Sequence, residues 1–312
     1  MKRVFVTGHR GMVGSAICRA LRAQGGAEVL TVDREVVSLA DQSALFAWLK
    51  RERPDVILHA AGKVGGIEAN RTQQAAFLYE NLIMAANIVE GARRAEVPRL
   101  LFLGSSCIYP RHAPQPIPED ALLTGPLEPT NEGYAIAKIS GLKLCHYYRQ
   151  NYGLCYHSAM PTNLYGTGDN YAARGSHVLP ALIRKFEEAR ESGAAEVTLW
   201  GSGNPLREFL HVDDLASACL FLAGLDNPPD LVNVGSGREV SIRELAEIIN
   251  VATGANVALR FDATMPDGTP RKYLDLARLN ALGWRAQIAL EDGVAKTVAE
   301  FRVAKAKGTL RE

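Results

Sequence analysis

A glycine-rich turn near the N-terminus constrains the fold of this chain more than any other feature. The apolar stretch Arg3–Thr7 has the pattern of a strand and runs into TGHRGMVG, where Gly8, Gly11 and Gly14 stand three residues apart. A stretch with helical spacing, 15–22, follows directly. Glycines in this position let a pyrophosphate come close to the backbone and rest on the helix N-terminus. The pattern therefore predicts a dinucleotide-binding strand-turn-helix unit.

Strands and helices alternate through the first half of the chain. The periodic segments are, for strands, 3–7, 28–32, 56–61, 99–105 and 156–160 and, for helices, 43–51 and 79–94. Alternation of this kind implies right-handed crossovers and a mainly parallel sheet with helices on both faces. We therefore predict an α/β protein with a Rossmann-type, doubly wound parallel sheet.

A second, smaller domain is predicted for the other half of the chain. Prolines divide this half into short segments, as expected for a smaller ligand-binding domain. The predicted dinucleotide-binding domain is 1–161, with part of 207–237 returning to it, and the mainly substrate-binding domain is 162–312. Ser241 and Glu244 have the spacing of a helix capping box, which predicts a helix start at this point.

The charge balance and the cysteines of the chain argue against several classes of partner and site. The chain has 312 residues, and 35 Lys and Arg against 34 Asp and Glu give no reason to expect nucleic acid or an anionic membrane as partner. Its apolar runs are far shorter than the roughly 20 residues of a membrane span, and we expect a cytoplasmic protein. The five cysteines form no Cys-x-x-Cys pair, so neither a disulfide framework nor a metal site is predicted. Core packing is the prediction for Cys18, Cys145, Cys155 and Cys219.

The motif NEGYAIAK carries the first catalytic candidates. Tyr134 and Lys138 are four residues apart in a predicted helix and so share one face. A free tyrosine has a pKa near ~10, and its use at neutral pH requires roughly 4 kcal/mol, which a lysine ammonium can help to supply. With Ser105 after the fourth strand, the three resemble the catalytic set of short-chain dehydrogenases/reductases. Ser105 and Tyr134 would bind a carbonyl oxygen and Tyr134 would protonate it, while a nicotinamide supplies hydride.

The choice of nicotinamide cofactor depends on residues that follow the second strand. Asp33 is an acid of the kind that bonds the ribose 2′-hydroxyl of NAD, whereas Arg34 would accommodate the 2′-phosphate of NADP. Arg10, inside the glycine turn, can reach the same phosphate. Two cations against one carboxylate favour NADP(H), and NAD(H) stays open as the alternative.

Cys107 in FLGSSCIYP is the second chemical candidate. It lies two residues after Ser105, so it can reach a carbonyl held by Ser105 and Tyr134. Such a carbonyl acidifies the protons on both neighbouring carbons, and inverting one of these carbons takes a base on one face and an acid on the other. A thiol near a cation or a histidine can carry the proton, and His177 in GSHVLPALI is the candidate for the opposite face. A lone cysteine is also common in core packing, so the residues alone leave both interpretations open.

Eight motifs extend the resemblance over nearly the whole chain. In chain order they are GHRGMVGSAI, KVGGI, FLGSSCIYP, LEPTNEGYAIAK, PTNLYG, SHVLPAL, REFLHVDD and PDGTPRK. Their order and separation closely resemble the GDP-4-keto-6-deoxy-D-mannose 3,5-epimerase/4-reductases, the GDP-L-fucose synthase family of extended short-chain dehydrogenases/reductases. The resemblance implies an NADP(H)-dependent enzyme that inverts C3 and C5 of a GDP-linked 4-keto-6-deoxymannose and then reduces C4. It also implies a homodimer that pairs through 79–94 and 134–150.

The same resemblance implies a set of site residues. The catalytic residues would be Ser105, Cys107, Tyr134, Lys138 and His177, with Cys107 and His177 as the epimerisation pair. The cofactor would contact Gly8, Arg10, Gly11, Met12, Val13, Gly14, Arg34, Leu103, Gly104, Lys138, Pro161, Asn163, Leu164 and His177. The GDP-sugar would contact Asn163, Lys185, Trp200, Arg207, Asp267 and Lys272.

Departures from the family pattern keep related activities open. Asp33 stands where an acid is less usual, Lys185 stands where an arginine is usual, and TGDNYAARGSHV matches only at its ends. The alternatives are a plain 4-reductase, or an enzyme for a related GDP-4-keto sugar such as a 3,6-dideoxyhexose or a heptose. UDP-sugar 4-epimerases and 4,6-dehydratases share the fold, but Ser106 and Cys107 stand in place of the dehydratase acid pair. A non-enzymatic cofactor sensor is the remaining alternative, and the intact tyrosine and lysine argue against it.

Overall fold

Twelve strands and ten α-helices are formed by the residues that the computed structural model describes, which are 3–173, 175–265 and 267–311. The strands are β1 (Arg3–Thr7), β2 (Glu28–Leu30), β3 (Val56–His59), β4 (Arg99–Leu103), β5 (Cys155–Pro161), β6 (Asn163–Tyr165), β7 (Glu196–Trp200), β8 (Leu206–His211), β9 (Leu231–Val234), β10 (Glu239–Ser241), β11 (Ala258–Asp262) and β12 (Arg271–Lys272). The helices are α1 (Met12–Gln24), α2 (Gln42–Glu52), α3 (Ile67–Thr72), α4 (Gln74–Arg94), α5 (Glu132–Tyr152), α6 (Val178–Ser192), α7 (Val212–Gly224), α8 (Ile242–Thr253), α9 (Ala277–Leu282) and α10 (Leu290–Ala306). In these described ranges, no helix has the length and apolar character needed to cross a bilayer.

A parallel sheet of six strands lies at the centre of the described part, in the order β2-β1-β3-β4-β5-β9. One face is covered by α2, α4 and α5, which contribute Trp48, Ile88 and Leu142 to its apolar core. The other face is covered by α1 and α7, with Ile17 and Leu215. The predicted doubly wound fold is therefore confirmed. The strand order reverses between β1 and β3, and in such sheets the crevice beyond the carboxyl ends of these strands holds the ligand.

The observed strands differ from the predicted ones at this carboxyl edge. β1 has the predicted bounds, but β2, β3 and β4 each end two residues earlier than predicted. There the chain leaves the hydrogen-bonded ladder, and after β4 a 3₁₀ turn at Ser106–Ile108 redirects the backbone. The early strand ends leave the following residues available to form a site. Helix α4 begins at Gln74, five residues before the predicted start.

A second group of elements packs around its own apolar cluster. Strand β8 pairs with β6, β10 and β12, and β7 pairs with β11. Helices α6, α8 and α10 bury Phe186, Leu245 and Val298 against these strands. Ser241 caps α8 in a capping box with Glu244, so that prediction is confirmed.

The division into two domains at residue 161 stays a prediction. Strand β9 joins the central sheet beside β5, which favours a return of the chain to the first domain. The helices of the second half are less broken than the prolines indicate, since α6 and α10 have 15 and 17 residues. The prolines at 205, 228, 229 and 270 lie in connections between elements, where they interrupt no helix. The outer bounds of the prediction, residues 1 and 312, lie outside the described residues.

Three of the four cysteines predicted to fill the core do so. Cys18, Cys145 and Cys219 are 3%, 0% and 0% exposed, respectively. Cys155 is only half-buried, so its prediction as a core residue is wrong. It is the first residue of β5, where the strand enters the sheet from the surface, and neighbouring strands therefore cover it only in part.

Candidate active site

The glycine turn forms an open backbone cradle at the N-terminus of α1. Gly8 has a φ of 69°, a left-handed conformation that favours glycine. A Cβ on Gly14 would lie 2.2 Å from the Gly8 carbonyl oxygen, so the helix can approach this turn only with glycine there. Within the described residues no side chain caps α1 at Gly11, which leaves the first-turn amides, with Met12 and Val13, open to an anion. The cradle fits the pyrophosphate of a dinucleotide.

Charged residues gather around Asp33, beyond the end of β2. The Asp33 carboxylate pairs with Arg10 at 2.5 Å and with His9 at 3.0 Å. The Arg34 side chain is 90% exposed and pairs with Glu35 at 3.3 Å. The acid that could bond a ribose hydroxyl is thus already engaged by two neighbours, while Arg34 lies at the surface where it can turn toward a phosphate.

Ser105, Tyr134 and Lys138 come together where β4 ends beside α5. The Lys138 ammonium donates to the Leu103 carbonyl at 2.9 Å and lies 5.8 Å from the centre of the Tyr134 ring. Burial lowers the pKa of Lys138 to about 8. Ser105 lies within hydrogen-bonding reach of the Tyr134 phenol. The structure therefore brings together the three residues that the sequence predicts for reduction.

The pKa of Tyr134 moves opposite to the direction expected from the sequence. Burial raises it most, the nearby Cys107 raises it further, and the hydrogen bond with Ser105 lowers it. The expectation that Lys138 lowers the pKa of the Tyr134 phenol toward neutral pH is wrong for the protein without a bound cofactor. The physical reason is that burial dominates, and that the ammonium is directed at a backbone carbonyl. A tyrosine that stays protonated is the form that can donate a proton to a carbonyl oxygen.

The backbone around these residues is closely packed. Leu103 and Gly104 are buried at the end of β4, and the Gly104 N–H donates to the Ala159 carbonyl of β5 at 3.0 Å. A Cβ on Gly104 would lie 2.2 Å from the end of the Met160 side chain. Pro161 ends β5 next to this point. Four of the residues predicted near the cofactor, Leu103, Gly104, Pro161 and Leu164, thus lie at or just beyond the carboxyl ends of β4 and β5.

Cys107 has polar partners and does not fill the core. It lies in the 3₁₀ turn after β4, where its N–H donates to Ser105 Oγ at 3.3 Å. Its Sγ lies 3.4 Å from Asn131 Nδ2 and 3.5 Å from Lys272 Nζ. The residue is half-buried, so solvent reaches it. A thiol that faces an ammonium and contacts solvent suits a proton carrier better than a packing residue.

His177 begins α6 and lies close to the same lysine. It is the N-cap residue of this helix. Its recessed surroundings and the Lys272 ammonium lower the pKa of the imidazole, although the side chain still reaches solvent. Lys272 therefore acts electrostatically on His177 and directly contacts Cys107, the two members of the predicted epimerisation pair.

The charged residues predicted to bind the GDP-sugar lie on neighbouring segments. Arg207 and Lys272 stand opposite each other where β8 pairs with β12. Burial lowers the pKa of Arg207, and the charge of Asp267 opposes this shift. Asp267 accepts hydrogen bonds from the Ser202 N–H at 2.9 Å and the Ser202 hydroxyl at 2.7 Å. Arg207, Asp267 and Lys272 thus come together on one side of the second group of strands.

The other predicted substrate residues lie on β7, α6 and β6. Trp200 ends β7 and is 71% exposed, so its ring is open to a ligand. Lys185 on α6 donates to the Thr198 carbonyl. Asn163 in β6 donates to the Glu208 carbonyl at 2.8 Å. Their binding roles stay predictions.

Two polar residues beside the site had no predicted role. Asn131 bonds the Cys107 thiol and stands just before α5. It lies within the motif LEPTNEGYAIAK, and this position in a catalytic motif could have indicated a role for it. His59 ends β3, with its Nδ1 2.9 Å from Thr7 Oγ1. Burial and the charge of Lys138 lower the pKa of His59 to about 3, so the imidazole is neutral. It joins the ends of β1 and β3 beneath the predicted cofactor crevice, and nothing in its sequence spacing indicates this contact.

The acidic residue at the start of α7 is held by cations. His211 Nδ1 accepts the Asp213 N–H at 3.2 Å, and the Asp213 carboxylate pairs with Arg19 at 2.8 Å and Lys296 at 2.6 Å. Over 3–173, 175–265 and 267–311 no group of three His, Cys, Asp or Glu side chains could hold a metal ion.

A doubly wound sheet, a glycine cradle and a serine, tyrosine and lysine beside it are typical of extended short-chain dehydrogenases/reductases. The chain belongs to the NAD dependent epimerase/dehydratase family, whose model matches residues 4–235. It is 52% identical over 295 residues to GDP-L-fucose synthase 1 of Arabidopsis thaliana, covering 95% of this chain and 91% of that one. It is 50% identical over 309 residues to GDP-L-fucose synthase of Escherichia coli (strain K12), covering 96% of each chain. The crystal structure of a GDP-L-fucose synthetase from Naegleria fowleri superposes with a TM-score of 0.91 at 27% identity, covering 100% of this chain and 96% of that one.

Proposed function

We propose that the protein is an NADPH-dependent enzyme that converts GDP-4-keto-6-deoxy-D-mannose into GDP-L-fucose, by inverting C3 and C5 and then reducing C4. The observation that carries this proposal is the position of Cys107 on the turn that follows Ser105. A carbonyl held at this turn can lose protons from its neighbouring carbons and can also be reduced. The two relatives described above, each about half identical to this chain, are named GDP-L-fucose synthase 1 and GDP-L-fucose synthase, which supports the choice of sugar.

The glycine cradle and the cations near β2 support NADP(H) as the cofactor. NADPH, when bound, supplies the hydride for the C4 carbon. The amides after Gly11 would hold the pyrophosphate, and Arg10 and Arg34 would hold the 2′-phosphate. Asp33 is already paired with His9 and Arg10, which weakens its competition for a ribose hydroxyl.

Tyr134 is the proposed proton donor for the reduction. Its phenol stays protonated because burial raises its pKa. As negative charge develops on the C4 oxygen, Tyr134 gives its proton and Ser105 donates a hydrogen bond. Lys138, fixed by the Leu103 carbonyl at 2.9 Å, supplies positive charge near the phenolate that remains.

Cys107 and His177 are the proposed pair for the two inversions. The ketone at C4 acidifies the C–H bonds at C3 and C5, because the enolate charge falls on the oxygen held by Ser105 and Tyr134. Cys107 takes the proton from one face of the carbon, and His177 returns a proton to the other face. Exchange with solvent then restores both groups. Both inversions and the reduction thus use a single carbonyl.

The alternative activities leave contacts of this site unexplained. A plain 4-reductase gives Cys107 no chemical role, although its sulfur contacts Asn131 and Lys272. A 3,6-dideoxyhexose or a heptose as substrate is not favoured by the names of the two relatives described above. Bifunctional epimerisation and reduction accounts for both groups of residues.

Deuterium incorporation tests the proposed function. Purified protein is incubated with GDP-4-keto-6-deoxymannose in D₂O, first without and then with NADPH, and the products are examined by mass spectrometry and NMR. We expect deuterium at C3 and C5 before any reduction, and GDP-L-fucose once NADPH is added. Cys107→Ser should lose the exchange and keep the reduction of C4.

Cys155→Ser is the matched control. Cys155 is also half-buried, but it lies at the start of β5, away from the site. This variant should exchange and reduce like the parent protein. Reduction without exchange in the parent protein would establish a plain 4-reductase and contradict the proposal.

We also propose that two copies of the chain pair through α4 and α5. These adjacent helices carry exposed apolar side chains, among them Tyr79, Ile136 and Tyr147 at 66%, 39% and 52% exposure. Several exposed apolar side chains on two adjacent helices support a protein contact. Light scattering should give twice the chain mass of 33.8 kDa, and the mass of one chain would refute the pairing.

A cytoplasmic location is proposed as well. All five cysteines are free thiols, the state expected in a reducing compartment. Cell fractionation should recover the protein with the cytosolic marker, and recovery in a membrane or exported fraction would contradict the proposal.

A further inference from the structure

Lys272 lies where it can set the charge of the Cys107 sulfur. Its Nζ is 3.5 Å from Cys107 Sγ, although the two residues are 165 positions apart in the chain. Asn131 Nδ2 is a second side-chain donor, 3.4 Å from the same sulfur. An ammonium can only donate hydrogen bonds, so the sulfur must accept the one from Lys272. A sulfur that accepts bonds from an ammonium and an amide is stabilised in its thiolate form.

The backbone fixes the position of Lys272 on both sides of the residue. Lys272 belongs to β12, which is hydrogen-bonded to β8. The following residue, Tyr273, accepts the Ile117 N–H at 2.8 Å. One residue further, the Leu274 N–H donates to the Glu208 carboxylate at 3.4 Å, and Glu208 is 0% exposed. The backbone that carries the lysine is thus held in place by contacts that do not involve the thiol itself.

The other titratable groups near Cys107 do not supply the same positive charge. Tyr134 on α5 stays neutral because burial raises its pKa. The pKa of His177, at the start of α6, is lowered by its recessed surroundings and by Lys272, so less than half of this imidazole is charged at neutral pH. The Lys138 ammonium is directed at a backbone carbonyl. Among the described residues, Lys272 is the cation that contacts the sulfur.

We propose that Lys272 is a positioning residue for Cys107: its ammonium, with the Asn131 amide, orients the sulfur and stabilises the thiolate form that takes a proton from a carbon beside the C4 carbonyl. This inference rests on the proposed function. In the step, the proton passes from carbon to sulfur, the electron pair of the C–H bond becomes the enolate, and the thiolate becomes a thiol. The family resemblance implies contact between Lys272 and the GDP-sugar, whereas the geometry directs its ammonium to the thiol.

Alkylation of Cys107 by iodoacetamide tests the inference without any sugar. The rate at neutral pH is followed by mass spectrometry of the peptide that contains Cys107. Lys272→Met should slow the alkylation about tenfold, the scale expected when a charge in contact is lost. Lys272→Arg keeps the charge and should restore most of the rate. If Lys272→Met fails to fold, Lys272→Gln is measured in the same way.

Arg271→Met is the matched control for loss of a cation from β12. The Arg271 guanidinium pairs with Glu239 at 2.6 Å and does not face the thiol. This variant should therefore alkylate at the parent rate, although it loosens the same strand. An equal slowing in Arg271→Met would show that strand stability controls the rate, and it would overturn the inference.

Deuterium exchange and GDP binding give the second measurement. Lys272→Met should lose exchange at C3 and C5 by about the same factor as alkylation, with unchanged GDP affinity by calorimetry. Parent-like alkylation with weakened GDP binding would return Lys272 to a diphosphate contact and overturn the inference. Absence of exchange in the parent protein would refute the proposed function, while the alkylation rates would still decide what Lys272 does to the thiol.

Discussion

The two chemical parts of the candidate site are built in different ways. The proposed reduction set is Ser105, Tyr134 and Lys138, and the proposed epimerisation set is Cys107 and His177 with Lys272 as their positioning residue. The reduction set lies at the end of β4 and on α5, which share the apolar core on one face of the central sheet. The epimerisation set joins the turn after β4 to the start of α6 and to β12, segments that come from both halves of the chain. One part is therefore fixed by a single core, and the other depends on how distant segments meet.

This difference indicates that mutation can affect reduction and epimerisation separately. A change in the reduction set should leave the epimerisation set in place, because the two sets use different side chains around one carbonyl. A change that disturbs the loop before α6 should act mainly on the epimerisation set.

The largest effect is expected from Tyr134→Phe. Loss of the phenol removes the proposed proton donor, so the rate of C4 reduction should fall by about 10²- to 10⁴-fold. Exchange at C3 and C5 should persist at a reduced rate, because Cys107 keeps its partners while Ser105 alone still bonds the oxygen that carries the enolate charge. NADPH oxidation and deuterium incorporation are measured on the same sample. If exchange disappears together with reduction, the two sets are not separable.

A pH-dependent change in stability is expected from Asp169→Asn, in the loop that leads to His177. Asp169 is 4% exposed, and burial raises the pKa of its carboxyl from 3.8 to about 7. Below about pH 4 both the folded and the unfolded chain hold this proton, so the group has no effect on stability. Between about pH 4 and 7 the folded chain keeps the proton that the unfolded chain releases, so stability falls as pH rises.

Asparagine removes this dependence. At pH 8 the Asp169→Asn variant should gain about 2 to 4 kcal/mol in free energy of unfolding relative to the parent, and at pH 4 the difference should vanish. Denaturant unfolding at several pH values measures it. A difference between variant and parent that stays constant from pH 4 to 8 would show that the carboxyl is ionised in the folded protein.

A smaller effect is expected from Arg34→Ala. Loss of the guanidinium should raise KM for NADPH about tenfold, the scale of one charged hydrogen bond, and leave KM for NADH unchanged. Exchange without cofactor should match the parent, since Arg34 lies beyond β2 and is remote from the thiol. Equal changes in KM for both cofactors would contradict the proposed contact with the 2′-phosphate.

The smallest effect is expected from Ser241→Ala, which removes the cap of α8. The cost should be about 1 kcal/mol in free energy of unfolding. Both exchange and reduction should stay at parent rates at 25 °C, because the cap lies outside both sets. Loss of exchange alone in this variant would show that small changes in the second group of elements reach the epimerisation set.

The fold of the first half was predictable because its signals are local. Alternating periodicity and the glycine spacing around Gly8, Gly11 and Gly14 follow from backbone geometry, and β1 has the predicted bounds. The ends of β2, β3 and β4 were predicted two residues too long, because composition does not show where the hydrogen-bonded ladder stops. Partial exposure of Cys155 was missed because its sequence neighbours do not show how far the other strands cover it.

The reduction set was also predictable, since Tyr134 and Lys138 are one helical turn apart and Ser105 follows a strand. The surroundings of Cys107 were not, because its contacts with Asn131 and Lys272 span 24 and 165 positions. The direction of the Tyr134 pKa was missed for a related reason. Burial comes from the packing of the whole fold, and the spacing of two residues carries no measure of it.

The short turn from Ser105 to Cys107 places inversion and reduction at the same C4 carbonyl, so reduction ends the period in which the neighbouring carbons can invert. While C4 is a ketone, the neighbouring centres can invert back and forth. Once it is an alcohol, their C–H bonds lose the acidity that inversion requires. Hydride transfer therefore fixes the configuration that the ring has at that moment. The stereochemical purity of the product therefore depends on the relative rates of inversion and reduction. A variant that slows only the inversions should yield a mixture of epimers.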